Sequence, residues 1–138
     1  IMKCYRDLVV WREGIDLVTN IYALSRTFPG EEKYALSDQM HRAAVSIPAN
    51  IAEGHARSSR KEFLHFLSIS LGSLAELETH LTIANKLKYL ALDRTENVLG
   101  QTNLLGKRIR CLQKSLKNKV STKIFENVWT PRACRYGV

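Results

Sequence analysis

Apolar residues return along this chain every three or four positions, in four blocks, and no block shows the strict alternation of a strand. In the first block Leu8, Trp11, Ile15, Val18 and Tyr22 form one stripe, which predicts a helix over residues 7–26. Phe28-Pro29-Gly30 ends it, since proline and glycine do not readily continue a helix. The second block, Met40, Ala44, Ile47 and Ile51, predicts a helix that begins at Ser37 as N-cap, with Asp38 in the positive first turn and Gly54 as the stop. Pro48 falls inside it and removes the hydrogen bond to the Ala44 carbonyl, so a kink is expected near residues 44–48.

The third block opens on Ser59-Arg60-Lys61-Glu62, the spacing of a capping box. Phe63, Leu67, Ser70, Leu74, Leu77, Leu81 and Ala84 carry its stripe to about residue 88. Small residues cluster around Gly72, which suggests a close helix approach at that level. The fourth helix is expected from Asp93, with Glu96 in the matching capping position, and its seam is Val98, Thr102, Leu105, Ile109, Leu112 and Leu116. Four amphipathic helices with short connections imply an all-α, antiparallel up-down-up-down four-helix bundle with a kinked second helix, over residues 1–118. Residues 119–138 read as a basic C-terminal tail or a short extra helix around Val120, Ile124 and Val128.

Charge changes this picture at one end. The net charge is +8, yet residues 1–106 hold 12 Lys/Arg against 12 Asp/Glu, while residues 107–138 hold nine against Glu126 alone. Such asymmetry suits a phosphate-rich partner or an acidic protein surface, and equally a solvated helix end with a loose tail. Composition is that of a globular domain, with 45% hydrophobic and 25% charged residues. No apolar run approaches the roughly 20 residues of a bilayer span, and no signal-peptide core stands at the N-terminus, so a cytoplasmic protein without membrane contact is expected. Met2 reads as the natural first residue, with Ile1 an addition ahead of it. Cys4, Cys111 and Cys134 lack metal-ligand spacing and read as reduced thiols.

Catalytic patterns are missing. A di-iron bundle needs Glu-x-x-His on two helices, and the chain has one such spacing, Glu62-Phe63-Leu64-His65. His80 lies four residues after Glu76, which suits a hydrogen bond on one helix face, and His41 and His55 have no partner at motif spacing. No phosphate loop, nucleotide-binding glycine pattern or nucleophile–base motif is present, so neither a metal, a cofactor nor enzymatic activity is expected. Two basic features remain. The loop before the third helix joins Arg57, Arg60 and Lys61 to the amides of a helix N-terminus, a setting for phosphate or simply a capped turn. The fourth helix carries Lys107, Arg108, Arg110, Lys114 and Lys117; 107, 110, 114 and 117 share one stripe, suited to nucleic-acid backbone or to the negative end of the helix dipole. Beside the core seam of the second helix, Arg42, Ser46, Asn50 and Glu53 form a polar stripe, for subunit packing or for water.

The segment Ser46-Ile47-Pro48-Ala49-Asn50-Ile51-Ala52-Glu53-Gly54, with Arg57, Glu62-Phe63 and Gly72-Ser73-Leu74-x-Glu76-Leu77-Glu78, resembles the bacterial 23S ribosomal RNA intervening-sequence proteins. The opening Tyr5-Arg6-Asp7-Leu8-Val9-Val10-Trp11 and Phe28-Pro29 are similar too, so the resemblance spans about residues 5–90. It implies a cytoplasmic bundle that assembles as a homo-oligomer, a ring of five. It also implies a likeness to the accessory variability proteins of diversity-generating retroelements, which bind a reverse transcriptase and its RNA. Neither family supplies a catalytic residue. The function expected is therefore a homo-oligomeric nucleic-acid-binding or scaffold protein that contacts RNA or DNA, with a reverse-transcriptase adaptor as the alternative.

Overall fold

The computed structural model describes residues 4–32 and 34–118, so the expected tail or extra helix over 119–138 lies outside the described residues. Four long helices make up the fold: α1 Val9–Ser25, α2 Leu36–Ala56, α3 Arg60–Lys86 and α4 Leu92–Asn118. Short 3-10 turns, Tyr5–Asp7 and Gly30–Glu32, precede α1 and α2. The all-α four-helix bundle expected from the pattern is what forms. Each helix packs on two others, α1 on α2 and α4, and α3 on α2 and α4. Between α4 and each of its two neighbours the residue numbers run in opposite senses. Glu13 meets Arg108 and Asn20 meets Gln101 between α1 and α4, while Gln113 meets Ser68 and Thr102 meets Glu78 between α4 and α3.

The core stripes of α2, α3 and α4 are those read from the sequence: Met40, Ala44, Ile47 and Ile51, then Phe63 through Ala84, then Val98 through Leu116 are all buried. α1 departs from its reading. Its core residues are Val10, Leu17, Ile21 and Leu24, with Leu8 just ahead of the helix, whereas Ile15 and Tyr22 are exposed and Trp11 and Val18 half-buried. Two apolar stripes compete on this helix, and the aliphatic one wins the interior. Gly14 interrupts that stripe because Pro48 of α2 occupies the space: a Cβ at Gly14 would lie 3.2 Å from the Pro48 Cβ.

Several helix ends also differ. α1 starts at Val9 rather than residue 7, since Leu8 is extended (φ −70°, ψ 125°) and Asp7 is buried in the preceding turn against Arg12. α2 starts ahead of Ser37, which is buried within its first turn and caps nothing; Ala35 holds the cap position. Nor does Gly54 stop α2, which runs on to Ala56. Asp93 lies inside the first turn of α4, one residue after Leu92. Half of the capping box of α3 forms: the Ser59 hydroxyl accepts from the Glu62 amide at 3.2 Å, while the Glu62 carboxylate accepts from that hydroxyl at 2.9 Å. α3 closes on Lys88 in the left-handed region (φ 63°), with the Tyr89 amide donating to Ala84 O and the Lys88 amide to Asn85 O, both at 2.9 Å. Cys4 is buried and disulfide-bonded, so the expectation of three reduced thiols fails there; Cys111 is free and exposed, and Cys134 lies outside the described residues.

Candidate nucleic-acid interface

The eight basic residues singled out from the sequence divide into two groups. Arg57 and Arg108 are committed within the chain. The Arg57 guanidinium donates to Glu53 Oε1 at 2.8 Å and stands 5.0 Å from the centre of the Phe66 ring. Arg108 turns toward α1 and donates to the Glu13 carboxylate. Neither has a guanidinium at liberty to grip a phosphate without giving up a partner.

The other six, Arg60, Lys61, Lys107, Arg110, Lys114 and Lys117, are exposed, and none forms a salt bridge among the described residues. Antiparallel packing of α3 on α4 brings them to one surface. The Gln113 amide donates to Ser68 Oγ at 3.0 Å and reaches the Leu64 carbonyl at 3.5 Å, which fixes the register of the two helices at this end. Arg60 lies four and eight residues before Leu64 and Ser68, hence on the face of α3 that Gln113 reaches. Lys117 lies one turn beyond Gln113, so it faces the start of α3. The loop and the helix stripe, far apart in sequence, therefore merge. Arg110 lies on the α3 side of α4: its Nη1 would be 3.3 Å from a Cβ at Gly106, in a cleft shared with Leu74, Glu78 and Thr102.

The helix N-terminus adds less than the sequence suggested. Ser59 takes one of the α3 amides, and the Glu62 carboxylate beside it opposes an incoming anion. Attraction for phosphate at this end comes from the Arg60 and Lys61 side chains.

The polar stripe of α2 is held within the chain along its middle. Ser46 hydrogen-bonds Ser73 of α3, and Asn50 Nδ2 donates to the Ser46 carbonyl at 2.7 Å. At its ends, Arg42 pairs with Asp38 at 3.0 Å and Glu53 with Arg57, both solvent-exposed. Spacing along the sequence missed a second cluster. His41 stacks on Tyr22 of α1, with ring centres 3.8 Å apart, and its Nε2 is 2.7 Å from Ser25 Oγ. Burial holds the His41 pKa below its ordinary value, against the pull of Asp38, and burial does the same to His55 against Asp7. Ser25 Oγ also donates to the Tyr22 carbonyl at 3.2 Å, so this hydroxyl serves the end of α1. Among the described residues no three His, Cys, Asp or Glu side chains are grouped to hold a metal, and no helix is long and apolar enough to cross a membrane.

A profile of a family described as 23S rRNA-intervening sequence protein matches residues 6–111. No curated protein sequence matches the chain. Among solved structures, the chain is similar to a protein of unknown function from the S23 ribosomal protein family of Bacteroides thetaiotaomicron VPI-5482. The two share 24% identity and a TM-score of 0.71, over 76% of this chain and 98% of that one. That likeness concerns the fold.

Proposed function

This chain belongs to the 23S rRNA-intervening sequence protein family, and from that premise we propose a non-enzymatic, cytoplasmic, homo-oligomeric protein that binds the phosphate backbone of RNA or DNA. The observation that carries the reading is the merged surface of Arg60, Lys61, Lys107, Arg110, Lys114 and Lys117, none of which forms a salt bridge among the described residues. Complementing the dipole of α4 does not account for it. That effect fades within the last turn, and Lys107 and Arg110 lie two turns or more back from Asn118. A row of phosphates would relieve the repulsion among these cations and release its own counterions.

Filter binding of labelled RNA at two salt concentrations tests the reading. With six contacts, affinity is expected to fall about a thousandfold between roughly 50 and 200 mM salt. Replacing Lys107, Arg110, Lys114 and Lys117 by alanine should weaken binding and flatten that dependence, by ~0.7–0.9 in slope per cation removed. Absence of binding at low salt, or binding indifferent to salt, would sink it. An adaptor role on a protein such as a reverse transcriptase is favoured by a different feature, the apolar Ile83 and Leu87 left exposed near the end of α3. It predicts a stable complex with that protein and weak RNA affinity without it.

A further inference from the structure

Two charged side chains share the cleft between α3 and α4 without meeting. Glu78 of α3 accepts from the Thr102 hydroxyl of α4 at 2.7 Å, and Thr102 is fully buried, so the carboxylate is held in place at one end. Arg110 stands two turns further along α4, yet its side chain folds back, with Nη1 3.3 Å from where a Cβ at Gly106 would lie. That Cβ would also meet Leu74 Cδ2 at 3.1 Å, so glycine at 106 makes the room that the guanidinium uses. Carboxylate and guanidinium end about one turn apart, ~5.4 Å along the helix. They form no salt bridge with each other or with any other described residue.

The cleft measures about 110 Å³, with Leu71 and Leu74 as its apolar side. An apolar cavity of about 150 Å³ takes a benzene ring, so this cleft has the size of one six-membered ring. The carboxylate only accepts and the guanidinium only donates. A ligand that fits both must carry a donor and an acceptor on one edge of a flat body. Cytosine has this edge on a single ring, with its amino group at one end and its carbonyl at the other, and a carboxylate is the usual acceptor for that amino group. Uracil presents a carbonyl at both ends, and one of them would face Glu78. Guanine and adenine carry their amino groups on two rings, beyond this volume.

Resting on the backbone-binding reading above, we infer that the α3–α4 cleft is a base site that takes an unpaired cytosine from a strand whose phosphates follow the cations of α4. Glu78 accepts from the cytosine amino group, Arg110 donates to its carbonyl, and Thr102 is a positioning residue for Glu78. The base must be unpaired, because the edge recognised is its pairing edge. Arg110 joins this site to the row of Lys107, Lys114 and Lys117, which hold the strand without reading it.

The test compares oligo(C) with oligo(U) of equal length at neutral pH, by filter binding to the full chain. Tighter binding of oligo(C), by about fivefold or more as one good pair of hydrogen bonds supplies, supports the inference. Glu78→Ala should abolish that preference; the Thr102 hydroxyl keeps the Leu99 carbonyl at 2.9 Å, so the variant is expected to fold. Arg110→Lys keeps the charge and the salt slope but loses the planar fork, and should abolish the preference too. A smaller difference, or a preference for oligo(U), with binding still salt-sensitive, overturns the cytosine site and leaves backbone binding intact. No salt-sensitive binding to either probe overturns both. A preference for oligo(C) that survives in either folded variant places the base elsewhere and overturns the assignment.

Discussion

A Cβ at position 54 would lie 2.5 Å from the Phe66 Cβ and 3.1 Å from Phe63 Cδ2. At position 72 the same atom would meet nothing within 4 Å. Both glycines lie inside helices, where alanine is intrinsically better by about 1 kcal/mol, so the two substitutions separate propensity from packing. Gly54→Ala should destabilise the fold by about 1–3 kcal/mol, because α2 or α3 must shift to make room. Gly72→Ala should stabilise it by up to ~1 kcal/mol. Urea midpoints of the two variants against the native chain check both; a stabilised Gly54→Ala would overturn the close approach seen here. From sequence the roles are inverted, Gly54 reading as a helix stop and Gly72 as the close approach. A glycine in a helical pattern shows only that a side chain is missing; what lies opposite depends on a residue of another helix, here Phe66.

At the scale of elements, α2, α3 and α4 were legible because each has a single apolar stripe flanked by polar residues. α1 was not. Its two stripes fit the helical period equally well, and the sequence places the larger side chains on the outer one, where Tyr22 can stack on His41. That stacked pair makes the α1–α2 contact sensitive to pH. Burial lowers the pKa of His41 in the folded protein, while the unfolded chain keeps the ordinary value near 6.5. As pH falls through the window just below that value, the unfolded state takes up its proton first, so stability is complete above it and is lost as the folded imidazole titrates. His55 acts in the same sense. The native chain should therefore be less resistant to urea at about pH 5.5 than at about pH 7.5, and the double variant His41→Gln/His55→Gln should lose much of that difference. An equal fall in native and variant would assign the pH dependence to other groups.

For the whole molecule, fold class followed from four periodic blocks, and so did the identity of the basic residues. Their gathering into one surface did not, because the register of α3 on α4 is set by contacts such as Gln113–Ser68 that no local pattern encodes. The same holds for the apolar shoulder between α1 and α2. There Ile15, Tyr22 and Val45 remain 38%, 43% and 43% exposed, and the Gly14–Pro48 and Tyr22–His41 contacts place Val45 level with Val18, between them. If the chain self-associates as proposed, this shoulder is its natural seam, and Ile15→Glu with Val45→Glu should shift sedimentation from oligomer to monomer without loss of helicity. A native chain that sediments as a monomer would end the oligomer proposal.

The gathering of cations at one end of α3 and α4 acts before any contact is made. The charges at the opposite end, among them Arg26, Glu31, Lys86, Lys88, Asp93 and Glu96, are of mixed sign, so the described bundle carries an electric dipole moment along its length. The field of a distant polyanion exerts a torque on that dipole and turns the bundle in solution. The chain would thus arrive with its basic end leading, its orientation chosen during diffusion rather than sorted out among collisions.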